Sequence, residues 1–391
     1  MKRKILLAVL AVCLLNSGPL FGTTEENITA RIGQYIDALV KGDYVAAAGF
    51  WHPQYVETCA RLGIKYRGVE NKYDCVSPLV ENIPAIRSGT ASWTIAVSMI
   101  DPAHYRAIVK VATPDTAISS EYFAQNDSSG IFLIPRFWLY LNNLSVLKTK
   151  YFDLFYHNPD QLNEFAVYDI DRFVEVAAAM LGTPEEKLAR LERTRMEYFL
   201  AESEHEVAEL LGFPSRGTFL MTSDIIISRY LPDYHEIARF MLAYSHPDPG
   251  LYVEPFVDRG IACILGGRFG QAVEVMPQIA NFTLKSELYS MNDILTFQSF
   301  HNTVGNIDFS FPLSCFLMQA VIDTSNVAAA MRSYSDLSGS VSEINGRTND
   351  VTKAVLEKNT GKTWGQIDSL ACAFASVDPF PNLKPGTIAD S

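Results

Sequence analysis

The chain has 391 residues, 48% of them hydrophobic, 19% charged and 12% aromatic, and a formal net charge of -12. That length and apolar content support two or three packed domains and exclude a disordered chain. The acidic balance, with no basic stripe to offset it, argues against a nucleic-acid-binding surface.

The first element is a leader. Lys2, Arg3 and Lys4 precede an apolar run over Ile5–Leu15, which Asn16, Ser17, Gly18 and Pro19 break. Such a run is too short to span a bilayer and reads as a signal peptide over 1–22. Val12 stands before Cys13 where a lipoprotein signal needs a small residue, so export to a periplasm or exterior is expected without a lipid anchor. Removing the leader's three cations takes the charge to -12 - 3 = -15. Five cysteines then remain, and Cys59 and Cys75 are close enough in sequence to form a disulfide in an oxidising compartment. Buried free thiols are the alternative.

From Glu26 the pattern is helical, with Ile28, Ile32, Ile36 and Leu39 on one face and Gly42 as a stop. Asp43 caps a short helix over Ala46–Phe50. An irregular stretch follows through Tyr66, Arg67, Gly68 and Asn71–Ser77. Strands are predicted over Ala91–Ile100, Tyr105–Thr113, Ser119–Gln125 and Ile131–Leu141, the last two joined by a tight turn at Asp127–Gly130. Helices followed by an antiparallel sheet make an α+β plan. The phrases YIDALVKGDYVAAAGFWHP and EYFAQNDSSGIFLIPRFWLY within this region resemble the NTF2-like (SnoaL-like) domains. The resemblance implies a cone-shaped pocket and a domain over 23–147. That family hosts both enzymes and binding modules, so the fold alone assigns no activity.

Lys148–Tyr156 reads as the opening strand of a second domain, over 148–378, with a tail over 379–391. A long helix over Asp160–Leu181 ends at Gly182. Thr183, Pro184, Glu185 and Glu186 read as a capping box, and Ser203 with Glu206 as another. Between and after these come strands over Met196–Glu202 and Phe219–Ser228. Helices then dominate: Tyr234–Tyr244, Pro255–Leu265, Phe269–Met276, Pro312–Thr324, Val327–Tyr334 and two more up to about Ala375.

The helix after the last strand opens His235-Glu236-Ile237-Ala238-Arg239. An active zincin carries His-Glu-x-x-His at such a place, because histidines four apart share a helix face and the intervening glutamate activates water. The phrases YFLAESEHEVAELLG, FLMTSDIIISRYLPDYHEIARFML, LYVEPFVDRGIACILGGRFG and FSFPLSCFLMQAVI, in this order, resemble the gluzincin metallopeptidases of the MA clan over roughly 148–375. Nineteen residues lie between Arg239 and Arg259, which fits the gluzincin gap to the third ligand. The resemblance puts His235 at the first zinc ligand and Glu236 at the catalytic base. Arg239 then stands at the second ligand and Arg259 at the third. Arginine offers a metal no lone pair and stays protonated. The zinc is therefore expected to be lost, leaving no metal, no cofactor and a vestigial site of His235, Glu236, Arg239, Asp258 and Arg259.

Asp258 could replace a ligand only after a one-residue slip of its helix, a rotation of about 100°. His205 and His246 lack the family spacing. Ser314 and Cys315 with His301 lack an oxyanion signature, and GGRFG at Gly266–Gly270 follows a helix and reads as its stop. The arginines are expected to neutralise Glu236 by salt bridges, or alternatively to point to solvent. The leading expectation is an exported pseudo-peptidase that binds a peptide or partner protein, with no nucleic acid and no membrane span after leader removal. Alternatives are a residual enzyme, either a zinc peptidase with rearranged ligands or an activity in the first pocket, and a structural envelope protein.

Overall fold

The computed structural model describes residues 23–141, 143–268, 273–302 and 307–376. The expected leader and the tail over 379–391 lie outside the described residues. The chain is an α+β protein with two compact units. Residues up to Pro53 and Val76–Pro135 form the first, and Gln54–Cys75 with Arg136 onward the second. The sequence reading draws a single boundary at 147/148 and assigns Gln54–Cys75 to the first domain.

In the first unit, α1 (Thr24–Lys41) carries the expected apolar stripe, and Ile28, Ile32, Tyr35, Ile36 and Leu39 are all buried. Gly42 ends it in the left-handed region at φ 74°, where glycine pays no Cβ penalty. Asp43 caps α2 (Tyr44–Ala48) by accepting from the Ala46 amide. Two helices fall where the sequence reading assigns none: α4 (Pro78–Arg87) in this unit, and α3 (Pro53–Arg61), which from Gln54 on belongs to the second. Strands β1 (Ser92–Met99), β2 (His104–Ala112), β3 (Ala117–Asp127) and β4 (Gly130–Ile134) form an antiparallel sheet in that order. On β2, Tyr105, Ala107, Val109 and Val111 are buried and alternate with more exposed residues, as a strand with one packed face requires. Asp127 pairs with Gly130 across the expected hairpin, but β4 ends at Ile134 and Arg136–Tyr140 turns into a 3-10 helix.

The second unit holds a mixed five-stranded sheet in the order β5-β6-β7-β9-β8. Its strands are β5 (Ser145–Lys148), β6 (Phe152–Tyr156), β7 (Met196–Leu200), β8 (Gly217–Leu220) and β9 (Ile225–Ser228). The central pairs β6–β7 and β7–β9 are parallel, and both edges are antiparallel. The single strand expected over Phe219–Ser228 is thus a hairpin, turned by Asp224 at φ 54°. Helix α5 (Glu164–Leu181) and α6 (Glu185–Thr194) link β6 to β7, and α7 (Glu204–Leu211) leads to β8. The Thr183 capping box does not form. Helix α6 has no side-chain cap, and the Thr183 hydroxyl instead bonds Ser245 Oγ at 2.6 Å. Ser203 caps α7 as expected, whereas Glu206 reaches back to the amide of Glu202.

The remaining chain is helical: α8 (Tyr234–Ser245), α9 (Pro255–Gly266), α10 (Met276–Lys285), α11 (Phe297–Asn302), α12 (Ile307–Thr324), α13 (Val327–Asp336), α14 (Val341–Asn345), α15 (Asn349–Thr360) and α16 (Trp364–Ser376). Helix α8 is the pivot. Every residue from His235 to Ser245 is buried, so no face is left to water. Ile237, Phe240, Met241 and Tyr244 join the core over the sheet, while Ala238 and Leu242 join the core of the helical half. Helix α9 presses against α12 where a Cβ on Gly260 would lie 2.5 Å from the Ser314 carbonyl oxygen. Among the described residues no helix is long and apolar enough to cross a membrane.

Cys59 and Cys75 are both buried free thiols in the second unit, so the pairing suggested by their spacing is not formed. Burial pushes both thiols up to about 12, and the Tyr55 hydroxyl hydrogen-bonds Cys59.

Candidate functional site

Asp233 sets the start of α8 by accepting from the Glu236 amide, and its other oxygen takes the Ser228 hydroxyl at 2.6 Å. This fixes the helix directly behind β9. Polar residues in its first two turns then lie between two apolar cores, where each needs a partner.

The structure brings all five expected site residues together. Arg239 Nη1 donates to Glu236 Oε2 at 2.5 Å, and its Nε donates to Asp258 Oδ2 at 2.9 Å. Arg259 Nη1 lies 3.6 Å from Glu236 Oε1, and its Nε 3.6 Å from Asp258 Oδ2. The Phe219 amide of β8 donates to Glu236 Oε2 at 2.8 Å. Both arginines therefore face the carboxylates, not bulk water. Asp258 joins without the helix slip that the sequence reading requires. Consecutive residues on α9 flank the cluster, and the length of the Arg259 side chain brings its guanidinium back to the same point. Gly260, Ile261 and Ala262 keep their buried positions.

The electrostatics follow from burial and contact. Burial pushes the Glu236 carboxyl up, but Arg239 and Arg259 outweigh it and hold it below the usual range. Burial alone would lower Arg239, yet Glu236 and Asp258 raise it further. His235 is held well below its ordinary value by burial and by the charges of Arg259, Arg268 and Arg239. It is therefore a neutral imidazole. Its Nδ1 meets the Gly267 carbonyl at 3.0 Å, which makes Nδ1 the protonated nitrogen, and Nε2 has no hydrogen-bond partner among the described residues.

These residues do not fit a zinc ion. His235 Nε2 is one free donor, but the next two positions of the expected sphere hold guanidinium groups. Both Glu236 oxygens already face arginine. Among the described residues no group of three His, Cys, Asp or Glu side chains is placed to hold a metal. His205 is exposed and lies 3.7 Å from Glu209. His246 caps the far end of α8, about 16 Å along the axis from His235 at 1.5 Å per residue. Ser314 Oγ is committed to the Ser310 carbonyl, and the free thiol of Cys315 shares a hydrogen bond with the free thiol of Cys263, so neither pairs with His301.

A cavity of about 340 Å³ opens above the cluster within the second unit. Arg239, Asp258 and Arg259 line it together with Tyr66, Phe311 and His301. Sequence reasoning missed most of this wall. Tyr66 comes from a stretch with no periodicity, and nothing local marks Phe311 as facing α9. Arg268, read only as part of a glycine-rich helix stop, stacks its guanidinium 2.9 Å from the Phe311 ring centroid. The glycines before it do serve the helix end. A Cβ on Gly266 would lie 2.5 Å from the Tyr234 carbonyl carbon.

Three buried carboxyls elsewhere in this unit set a pH dependence. Burial pushes Asp224 up to about 6 despite Lys72, and Glu254 up to about 7 despite Arg347. Burial and the charge of Glu236 push Asp233 up to about 7. A carboxyl raised on folding stabilises fully below its unfolded value and loses that contribution as pH rises through the folded value. His235, lowered on folding, runs the other way: its contribution is complete above its unfolded value and is lost as pH falls. His246 is lowered by burial as well, so three carboxyls oppose two imidazoles, and stability is expected to decline between about pH 5 and about pH 7.5. Urea midpoints across that window check this, and a midpoint that climbs with pH contradicts it.

No protein-family model matches the chain, and no curated protein matches it.

Proposed function

We propose that this chain is an exported, catalytically inactive relative of the gluzincin metallopeptidases that binds a peptide or partner protein in the cell envelope. On this reading residues 148–378 keep the zincin plan without the metal, after an NTF2-like domain. One observation carries the proposal. Arg239, four residues after His235, bonds both Glu236 and Asp258. A glutamate whose carboxyl is held below its usual range by two guanidinium groups is a weakened base toward water, and a permanent cation takes the place of a metal ligand. The aromatic cavity beside it gives the site something to bind with.

A second reading, a residual zinc peptidase with rearranged ligands, draws on the unpartnered Nε2 of His235. Zinc titration of protein purified without chelator separates the two, run beside a peptide-hydrolysis assay. The expected result is no saturable zinc binding and no chelator-sensitive hydrolysis. One tightly held zinc per chain would overturn the inactive reading.

A further inference from the structure

The floor of the cavity is formed by two consecutive residues of α9. Arg259 keeps 26% of its side chain exposed and Asp258 16%, against 8% for Glu236 and Arg239 behind them. Both ion pairs of Arg259 are at 3.6 Å, beyond hydrogen-bond distance, and its guanidinium donates no hydrogen bond to any described residue. Asp258 Oδ2 accepts from Arg239 Nε, and its Oδ1 accepts no hydrogen bond among the described residues. Donors and an acceptor of opposite charge are therefore presented side by side. Tyr66, only 4% exposed, lines the same cavity, and its buried hydroxyl has no hydrogen-bond partner among the described residues. The walls are aromatic, from Phe297, Phe300, Phe311 and Tyr334.

Charge narrows the ligand. The four ions in mutual contact, Glu236, Asp258, Arg239 and Arg259, sum to zero. A lone carboxylate would add an unbalanced charge to this buried set, which is costly. A zwitterion adds none. Spacing narrows it further. Arg259 Nε and Asp258 Oδ2 lie 3.6 Å apart, so the remaining Arg259 N–H groups and Asp258 Oδ1 are close neighbours, which suits an ammonium and a carboxylate on one carbon. A dipeptide moves those charges apart by about a further 3.5 Å. The cavity volume of about 340 Å³ is at the small end for a ligand site.

We infer that this cavity binds a free α-amino acid with an aromatic or large aliphatic side chain. The carboxylate lies on Arg259, the ammonium on Asp258, and the side chain among the phenyl rings. The inference rests on the reading of this site as one that binds and does not catalyse, and it puts a single free amino acid in this cavity in place of a peptide.

Calorimetric titration of the purified protein with L-phenylalanine, L-leucine and L-tryptophan tests it. N-acetyl-L-phenylalanine, L-phenylalaninamide and the Phe-Phe dipeptide are the comparison probes. At least one free amino acid is expected to bind one to one. The acetylated and amidated forms should bind at least about tenfold more weakly, the loss that follows when a charged hydrogen bond is removed. Arg259→Gln should weaken the free amino acid and leave the amide unchanged, with Arg259→Lys as a charge-retaining check. Equal binding of the acetylated form would make this a carboxylate site, and equal binding of the amide an amine site. Either outcome overturns the inference, as does tighter dipeptide binding or silence from all three amino acids in a cooperatively folded protein. Zinc uptake or chelator-sensitive hydrolysis would instead sink the inactive-peptidase reading, whatever the amino acids do.

Discussion

Arg239→Met is expected to destabilise the second unit by about 3–5 kcal/mol, the usual cost of removing one partner from a buried ion pair. The methionine replaces most of the side-chain volume, so the loss isolates charge from packing. Glu236 would keep the Phe219 amide at 2.8 Å and Arg259 at 3.6 Å, and Asp258 would keep only the Arg259 contact. Two carboxylates would then share one half-buried cation. Adding Glu236→Gln, Asp258→Asn and Arg259→Gln to the same chain should recover most of the loss, because a buried ionic set replaced as a whole by neutral groups is often close to neutral in stability. Lowering the pH should shrink the deficit of the single variant by protonating the orphaned acids. Chemical denaturation of the single and quadruple variants decides the matter. A single variant as stable as the parent would show that water, not protein, surrounds the cluster.

The site was more legible than its surroundings. His235 and Glu236 stand at the start of a helix behind a strand, and the gap to Arg259 places the second helix, so their meeting follows from spacing. Long-range packing was not legible. Pro53–Arg61 and Pro78–Arg87 each start with proline, and the second also contains Pro84, so both look like broken chain although proline is well accommodated in a first turn. The β8–β9 hairpin hid inside an apolar run, where the only turn signal was Ser223-Asp224. Thr183 showed a local capping pattern, but its hydroxyl had a tertiary partner, Ser245, on a helix some sixty positions later. Patterns with a period of two or 3.6 report which face is buried. They do not report what it is buried against, which is why Tyr66 and Phe311 appear only in the fold.

A zinc site should be recoverable if the second unit is a gluzincin whose ligands were exchanged for arginines. The variant that tests this carries Arg239→His, Arg259→Glu and Asp258→Asn. Two positive charges are lost at 239 and 259 and one negative charge is added at 259. One negative charge is removed at 258, and the bound ion returns two positive charges, so the buried cluster stays balanced. The unpartnered Nε2 of His235 supplies the first ligand, and its Nδ1 already bonds the Gly267 carbonyl, the orienting contact that zinc-bound histidines need. Position 239 lies one helical turn further on the same face, and position 259 faces both across the α8–α9 packing. The expected result is one zinc per chain, removed by chelator, and a melting temperature that rises when zinc is added. Free Glu236 would then face a metal in place of two guanidinium groups. A variant that folds but takes up no zinc would separate this helix pair from the zincin plan, and the arginine cluster would stand as an original feature of the fold instead of a replacement for a metal.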